Sequence, residues 1–211
     1  MNTVKIFYLN CDALCDKVLF DKNYRAASAE RKLKIDRLRF DSDKRLALGA
    51  DILIKRSLGE LAREQIKTND FGKPYIENCA VRFNLSHSGS IAMIAISDTE
   101  VGCDVQKTEE PPLKVAQRYF CESEQNLINE SNDKAKMFFR LWTLKESYIK
   151  MLGKGLSEPL DSFAVRFDDN LPRINNYCTV AEFELAPAYC AAVCVQGSAD
   201  IKQPIEIKIR S

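Results

Sequence analysis

The chain has 211 residues, of which 45% are hydrophobic and 29% charged, and its formal net charge at pH 7 is +1. A chain of this length can bury a core without disulfides or structural metals, and its composition is that of an ordinary globular enzyme. The small net charge argues against a protein that binds nucleic acid over a broad surface.

The chain has no segment typical of secretion or membrane insertion. The first 18 residues acquire Asp12 and Asp16 too early for a signal peptide, and no apolar run approaches the roughly 20 residues of a membrane span. We therefore expect a cytoplasmic protein with no membrane partner, acting as a monomer. Because the eight cysteines include no CxxC pair, we expect free thiols rather than disulfides or a cysteine metal site.

The first part of the chain predicts one strand and two helices. Residues 4–10 are rich in β-branched and aromatic side chains, which favours a strand. Apolar residues recur at helical spacing over 26–39 and over 42–66, with Ser42 as the cap of the second helix. Residues 22–45 hold nine Lys and Arg against four acids. This basic segment could meet a phosphorylated ligand or an acidic partner, or it could be a solvated helix face.

The middle of the chain predicts a turn followed by three strands. FGKP at 71–74 reads as a turn, because Gly and Pro flank a lysine and proline cannot continue a helix. Strand-like runs follow at 80–86, 91–97 and 100–106.

The second half predicts helices first and strands afterwards. Pro111 and Pro112 open a helical stretch that contains RYFCESE, and a strong helix over 134–152 stops at Gly153 and Gly155. The tail contains four strand-like runs, FAVRF, YCTVAEFEL, YCAAVCV and IEIKI. These elements predict an α+β fold, and the break near residue 100 permits two halves, 1–100 and 101–211.

Three segments hold residues that could perform chemistry. As a strand, VGCDVQK at 101–107 puts its apolar residues on one face and Asp104 and Gln106 on the other, beside a glycine that opens space. On the helix over 134–152, Glu146 and Lys150 lie opposite the apolar stripe and form a polar window on a largely buried helix. A plain surface Glu–Lys pair is the alternative for these two residues.

The third segment, FNLSHSGS at 83–90, contains the single histidine, His87. A lone histidine after a strand is often structural, but serines at 86 and 88 and small residues surround this one. Such a turn can direct hydroxyls, backbone N–H groups and an imidazole at an anion. The chain has neither of the standard glycine-rich phosphate loops.

In this order, FGKP, FNLSHS, VGCDVQ and FFRLWTLKESYIKMLGKGL resemble the 4′-phosphopantetheinyl transferase superfamily. The last block, with the pattern W-T-x-K-E-S-x-x-K-x-x-G-x-G, is the most specific, and the similarity covers residues 71–167 closely. The chain looks most like the larger class typified by the surfactin-synthetase-activating enzyme. That resemblance implies two similar α/β halves related by a pseudo-twofold axis, with the active site at their interface.

The resemblance also implies a metal site and its chemistry. The family's metal-binding acids fall on Asp104 and Glu146, and Gln106 stands where the surfactin-type enzyme has a glutamate. An amide oxygen can ligate Mg²⁺ but brings no charge. The implied reaction moves the phosphopantetheine group of coenzyme A to a carrier-protein serine, with Mg²⁺ at the diphosphate and release of 3′,5′-ADP.

Other positions match the family's coenzyme and catalytic residues. Lys150 matches a phosphate-binding lysine that also serves catalysis, and Glu146 or Glu124 would accept the serine proton. The coenzyme contacts fall on a set of four further residues: Lys73, Ser86, His87 and, more loosely, Arg45. The implied partner is an acidic apo-acyl or apo-peptidyl carrier domain.

Two other functions fit the same residues. One is a coenzyme A-binding or carrier-docking module without catalysis, and intact Asp104, Glu146 and Lys150 argue against it. The other is a Mg²⁺-dependent phosphohydrolase, which would release phosphate and need no carrier protein.

Overall fold

The structure, a computed structural model, describes residues 2–60, 62 and 65–210. In the first hundred residues, one strand is followed by a group of helices and then by further strands. The strands are β1 (Asn2–Asn10), β2 (Ile66–Thr68), β3 (Pro74–Ile76), β4 (Arg82–Ser88) and β5 (Ile91–Ser97). The helices are α1 (Lys17–Arg25), α2 (Ala29–Arg37) and α3 (Asp41–Leu58), and a short 3-10 helix, Cys11–Cys15, follows β1.

The rest of the chain contributes helices, a second sheet and, near its C-terminal end, two short strands that pair with β1. The helices are α4 (Leu113–Tyr119), α5 (Glu122–Glu130) and α6 (Lys134–Leu152), with 3-10 turns at Gly155–Ser157 and Leu160–Ser162. The strands are β6 (Val101–Lys107), β7 (Arg166–Asp168), β8 (Leu171–Arg173), β9 (Cys178–Phe183), β10 (Tyr189–Gln196), β11 (Ala199–Ile201) and β12 (Ile205–Glu206).

Two main sheets organise the molecule, and the α+β prediction is confirmed. The first has the order β11-β1-β5-β4, with β12 also on β1, and the second has the order β6-β10-β9. Strands β11 and β12 run parallel to β1, and the other neighbours are antiparallel. The C-terminal strands therefore complete the sheet that the N-terminal strand begins.

The core arranges these elements as helix, sheet, sheet and helix. Apolar residues of β1 and β5 share one buried cluster with those of β6 and β10, so the two sheets face each other. Helix α3 covers the other face of the first sheet, and α6 packs on β6 and β10 of the second. Strand β6 is therefore enclosed by β5 on one side and α6 on the other, which explains why Val101–Val105 are all buried.

Several predicted boundaries are wrong for identifiable reasons. The predicted helix over 26–39 begins only at Ala29, because the Ser28 side chain caps it there. The helix predicted over 42–66 spans Asp41–Leu58, its cap residue is Phe40 rather than Ser42, and Gly59 at φ +90° ends it. Its predicted end includes residues 61, 63 and 64, which lie outside the described residues. The FAVRF and IEIKI runs form strands only at Arg166–Asp168 and Ile205–Glu206.

The cysteines form no disulfide bonds, and the described helices include none that could cross a membrane. Among the described residues, no helix combines the length and the apolar character needed to cross a bilayer. All eight cysteines are free thiols.

Candidate active site

Helix α6 holds two of the predicted site residues in a fixed position. Asp133 caps its first turn by accepting a hydrogen bond from Lys136 N, and Gly153, in the left-handed region at φ +67°, ends it. Nine of its 19 residues are buried, eight of them between Leu141 and Met151, where Glu146 and Lys150 remain partly exposed. The prediction of a largely buried helix with one polar window is confirmed for this C-terminal half only, because the first turns also expose Lys134 and Lys136.

Strand β6 brings Asp104 directly against this helix. A side chain at Gly102 would overlap the Ser147 carbonyl oxygen and the Met151 nitrogen, so the backbones of β6 and α6 are in close contact. The expectation that Gly102 opens space beside Asp104 is therefore wrong, because the helix backbone fills that space. The close contact instead places Asp104 beside the polar window of α6.

Asp104 is the centre of a hydrogen-bonded cluster. It is only 2% exposed, and its Oδ1 accepts from Lys150 Nζ at 2.6 Å and from Ser86 Oγ at 2.7 Å. Lys150 Nζ also lies 3.2 Å from Ser86 Oγ. Burial is the largest single influence on the pKa of Lys150 and lowers it, but the charge and hydrogen bond of Asp104, together with Cys103 and Glu146, outweigh burial, so the net pKa is raised. Lys150 is therefore held as a cation.

Glu146 is the second carboxylate of the site. Its pKa is raised, first by burial and then by repulsion from Asp104, while Lys150 opposes the shift. Glu146 and Lys150 line a cleft of about 300 Å³. The loop Phe71–Pro74 and two residues of β4, Asn84 and Leu85, also line it, together with Ile149, Gly153 and Gly155. The structure thus brings the FGKP turn, β4 and α6 together around one cleft.

These side chains fit a hard divalent cation. Asp104 and Glu146 supply carboxylate oxygens, which Mg²⁺ prefers, and their mutual repulsion would be relieved by a positive ion. Gln106 donates through Nε2 to Asp104 Oδ2 at 3.1 Å, so it lies beside the same carboxylate. In the part of the chain that the structure describes, no three His, Cys, Asp or Glu side chains cluster. The predicted set itself contains only two such residues, because its third member is an amide.

Strand β4 contributes Ser86 and His87 on opposite faces. Ser86 is buried, and its Oγ accepts from Val105 N at 3.2 Å while it donates to Asp104. His87 is exposed. Its pKa is lowered by partial desolvation of the ring and then by the positive charges of Lys150 and Lys34. The imidazole is therefore held neutral beside a positively charged surface.

Lys73 ties the FGKP turn to the end of α6. Its side chain is 11% exposed, and its Nζ donates to Glu100 Oε2 at 2.5 Å and to the Met151 carbonyl at 2.8 Å. Asn69 adds a hydrogen bond to the Gly153 carbonyl at 3.0 Å. Burial lowers the pKa of Lys73. The turn is thus anchored to the C-terminal end of the helix that holds Glu146 and Lys150.

Arg45 lies on α3, away from these contacts. Its side chain is half-buried beside a separate surface groove that Lys44 and Asp41 also line. It forms no ion pair with any residue that the structure describes. The structure gives no contact between Arg45 and the cluster around Asp104.

Glu124 lies in the interior, paired with Lys145 of α6. Both side chains are 0% exposed, with Lys145 Nζ 2.6 Å from Glu124 Oε1. Glu124 also accepts from Val165 N at 2.7 Å and from Cys121 N at 3.0 Å. Sequence reasoning did not single out Lys145. The available signal was its position between Leu144 and Glu146 on a helix that is apolar around most of its circumference.

Comparison with known proteins gives consistent results. A sequence model of the 4′-phosphopantetheinyl transferase superfamily matches residues 100–194. The 4′-phosphopantetheinyl transferase Sfp of Bacillus subtilis strain 168 is 34% identical over 181 residues, covering 79% of this chain and 81% of that protein. The 4′-phosphopantetheinyl transferase psf-1 of Bacillus pumilus is 34% identical over 213 residues, covering 93% of this chain and 91% of that protein.

Solved structures that resemble part of the fold include a carrier-protein synthase. The Thermotoga maritima holo-[acyl-carrier-protein] synthase covers 47% of this chain and 63% of its own, with 25% identity and a TM-score of 0.43.

Proposed function

The chain belongs to the 4′-phosphopantetheinyl transferase superfamily, in the class that includes Sfp, and we propose that it loads carrier proteins with phosphopantetheine. The donor in this proposal is coenzyme A, the acceptor is a serine of an apo-acyl or apo-peptidyl carrier domain, and the leaving group is 3′,5′-ADP. The observation that supports it most directly is the grouping of Asp104, Glu146 and Lys150, of which Glu146 and Lys150 line one cleft.

Asp104 and Glu146 would hold a Mg²⁺ ion, with the amide oxygen of Gln106 as a neutral further ligand. When bound, such an ion supplies charge stabilisation to the diphosphate as the leaving group departs. Lys150, held as a cation by Asp104, would pair with phosphate oxygens in the cleft. Positive charge fixed in this way stabilises the transition state without reorganisation.

Glu146 is our candidate acceptor of the serine proton. Its carboxylate lines the cleft, where a carrier serine could reach it. Glu124 enters the proposal as a positioning residue. Its burial and its pairing with Lys145 support a role in fixing α6 rather than in touching the substrate.

The coenzyme's nucleotide would lie along the FGKP turn and the exposed side of β4. Lys73 anchors that turn to the end of α6, and Ser86 of β4 donates to Asp104. His87, on the exposed side of β4, presents an imidazole near Lys34 and Lys150. Arg45 and the surrounding basic segment remain our candidates for the 3′-phosphate. The same basic segment would suit an acidic carrier domain.

We also propose that the molecule works as a cytoplasmic monomer with two related halves, 1–100 and 101–211. The location of the cluster supports an active site between the halves, because Ser86 comes from β4 and Asp104 and Lys150 come from β6 and α6. The return of β11 and β12 to β1 would hold the halves together.

The test is intact mass spectrometry of apo-carrier proteins incubated with the enzyme, coenzyme A and Mg²⁺. We expect each acceptor to gain the mass of one phosphopantetheinyl group, and the gain to need both coenzyme and metal. Binding of coenzyme A without transfer would favour a docking module, and phosphate release without a carrier would favour a phosphohydrolase. Transfer that persists in excess chelator would overturn the metal-dependent mechanism.

A further inference from the structure

A row of side chains on β4 covers the free edge of β6. Asn84 Oδ1 accepts from Cys103 N at 3.0 Å, Ser86 Oγ from Val105 N at 3.2 Å, and Ser88 Oγ from Lys107 N at 3.1 Å. Each bond joins residues 19 apart, so the two strands run side by side in one register. Because β6 pairs only with β10 in its sheet, these three acceptors satisfy backbone donors that would otherwise be unpaired.

Asn84 differs from the two serines because it has a second polar group. Its side-chain oxygen must face Cys103 N–H, since a backbone donor cannot pair with an amide NH₂. The amide nitrogen therefore points in a different direction. Among the residues that the structure describes, Nδ2 of Asn84 has no hydrogen-bond partner, although Asn84 is only 5% exposed.

An unpaired, buried donor group of this kind is uncommon and calls for an explanation. A buried polar group without a hydrogen-bond partner destabilises the folded protein, because it loses its bonds to water and gains none in return. Asn84 lines the same cleft as Glu146 and Lys150. A ligand oxygen in that cleft would supply the missing acceptor.

We propose that Asn84 is a substrate-binding residue whose amide NH₂ donates to a phosphoryl oxygen of the coenzyme A diphosphate. This inference rests on the proposed function. The diphosphate is the part of the donor that Lys150 would engage in the same cleft, and an amide donor adds a contact that does not change with pH. The Cys103 N–H bond holds the amide in the orientation that this contact needs.

The two serines show how to separate the two roles of Asn84. A serine hydroxyl already accepts from β6 N–H groups at positions 86 and 88, so Asn84→Ser offers Cys103 N the same kind of acceptor while it removes the NH₂ group. Asn84→Ala removes both. Ser88→Ala is the matched control, because it removes one bond of the same row at Lys107, where the backbone is exposed.

The experiment is calorimetric titration of each variant with coenzyme A in Mg²⁺, without a carrier protein, together with thermal melts. Loss of a hydrogen bond to a charged acceptor should weaken coenzyme A binding by roughly ten- to a hundredfold in Asn84→Ser and Asn84→Ala. Ser88→Ala should bind coenzyme A as the wild type does. In carrier loading, Asn84→Ser should raise KM for coenzyme A more than it lowers kcat.

Two results would overturn the inference. Wild-type coenzyme A affinity in Asn84→Ser would mean that Asn84 only supports β6, and equal weakening in Ser88→Ala would trace the loss to the strand row. Failure of the wild-type protein itself to bind coenzyme A would instead contradict the proposed function. If Asn84→Ala does not fold, the comparison of Asn84→Ser with wild type still decides the question.

Discussion

Helix α6 carries two lysines, five residues apart, that form ion pairs of equal length in opposite surroundings. Lys145 and Lys150 each place Nζ 2.6 Å from a carboxylate oxygen, of Glu124 and Asp104 respectively. The Lys145 pair has no exposed surface, whereas the Lys150 side chain is 29% exposed. Burial is the largest influence on both pKa values. The pKa of Lys145 is lowered because burial outweighs its partner, whereas the pKa of Lys150 is raised because Asp104 and its neighbours together outweigh burial.

This difference separates a structural ion pair from one that can exchange partners. The Lys145 ammonium donates also to the Phe163 carbonyl and lies over the Phe163 ring, and Glu124 accepts from two backbone N–H groups. Every group there is satisfied inside the protein. Lys150 instead faces a cleft beside a second carboxylate, where a ligand phosphate could replace Asp104 as its partner. A buried salt bridge is therefore no guide to function until its surroundings are known.

The largest expected difference between the two pairs concerns activity. Asp104→Asn and Glu146→Gln each remove a charge from the proposed metal site but keep the shape of the side chain. Loss of several kcal/mol of electrostatic stabilisation should lower carrier loading by roughly a thousandfold or more. Single-turnover loading across a Mg²⁺ titration measures this effect.

The exposed carboxylate of Glu130 at the end of α5 provides the control. Glu130→Gln should load carriers at the wild-type rate and, like Glu146→Gln, should melt close to wild type. Asp104→Asn should melt lower, because Asp104 is 2% exposed and its carboxylate accepts from Lys150, Ser86 and Gln106. Near-normal turnover in Asp104→Asn would refute the assignment of the metal site.

The interior pair should affect stability instead. Breaking a buried ion pair by removing one partner typically costs about 3–5 kcal/mol, so Glu124→Gln and Lys145→Met should each lower the melting temperature by about 10 °C. The double variant removes both charges and should lose less than the sum of the two single losses. Thermal melts of the four proteins complete the cycle. Additive losses would show that the two residues do not act as a pair.

Gln106 offers a smaller test of the exposed pair. Gln106→Ala removes a neutral donor that water can replace, so loading should fall by about tenfold or less. Gln106→Glu adds a third carboxylate next to Asp104 and should tighten Mg²⁺ binding, while it lowers the stability of the metal-free protein. Metal titration followed by calorimetry distinguishes the two variants. An inactive Gln106→Ala would make Gln106 an essential ligand and contradict this prediction.

The smallest effect expected is on pH dependence. Because the pKa of Glu146 is raised, its carboxylate takes up a proton at a higher pH than an ordinary glutamate, whose pKa is about 4.3. Loading should therefore fall as pH drops through that raised pKa. The metal-free fold should gain stability over the same range, because protonation removes a buried charge and also relieves the repulsion from Asp104. Saturating Mg²⁺ favours the ionised form and should move the acid limb to lower pH. Rate profiles at two Mg²⁺ concentrations test this, and an acid limb that does not move with metal would count against the site.

Elements with a clear local pattern of apolar residues were predicted correctly from the sequence. Strand β5 and helix α6 agree with the predicted 91–97 and 134–152, because an unbroken apolar run and a regular stripe leave little choice. Helix α1 was missed since only Leu19 in it is buried, so it shows almost no apolar stripe. The overlong helix beyond Leu58 shows the opposite error, where apolar spacing continued past a glycine that ends the helix.

The site residues were found from motifs, but their arrangement depends on contacts between distant segments. Nothing local indicates that Ser86 lies within hydrogen-bond distance of Asp104, or that Asn84 accepts from Cys103, because both depend on how β4 lies against β6. The pairing of Lys145 with Glu124 likewise joins two helices across the core. Arg45, chosen from a loosely spaced basic segment, has no such contact to support it.

The close contact between β6 and α6 at Gly102 limits which substitutions the site can accept, in evolution or in protein design. The separation between the strand and helix that hold Asp104, Glu146 and Lys150 is set by one backbone resting on another, with no side chain between them. Any side chain at position 102 would push the helix away from the strand and separate the charged groups, so a library of otherwise functional variants should retain glycine there.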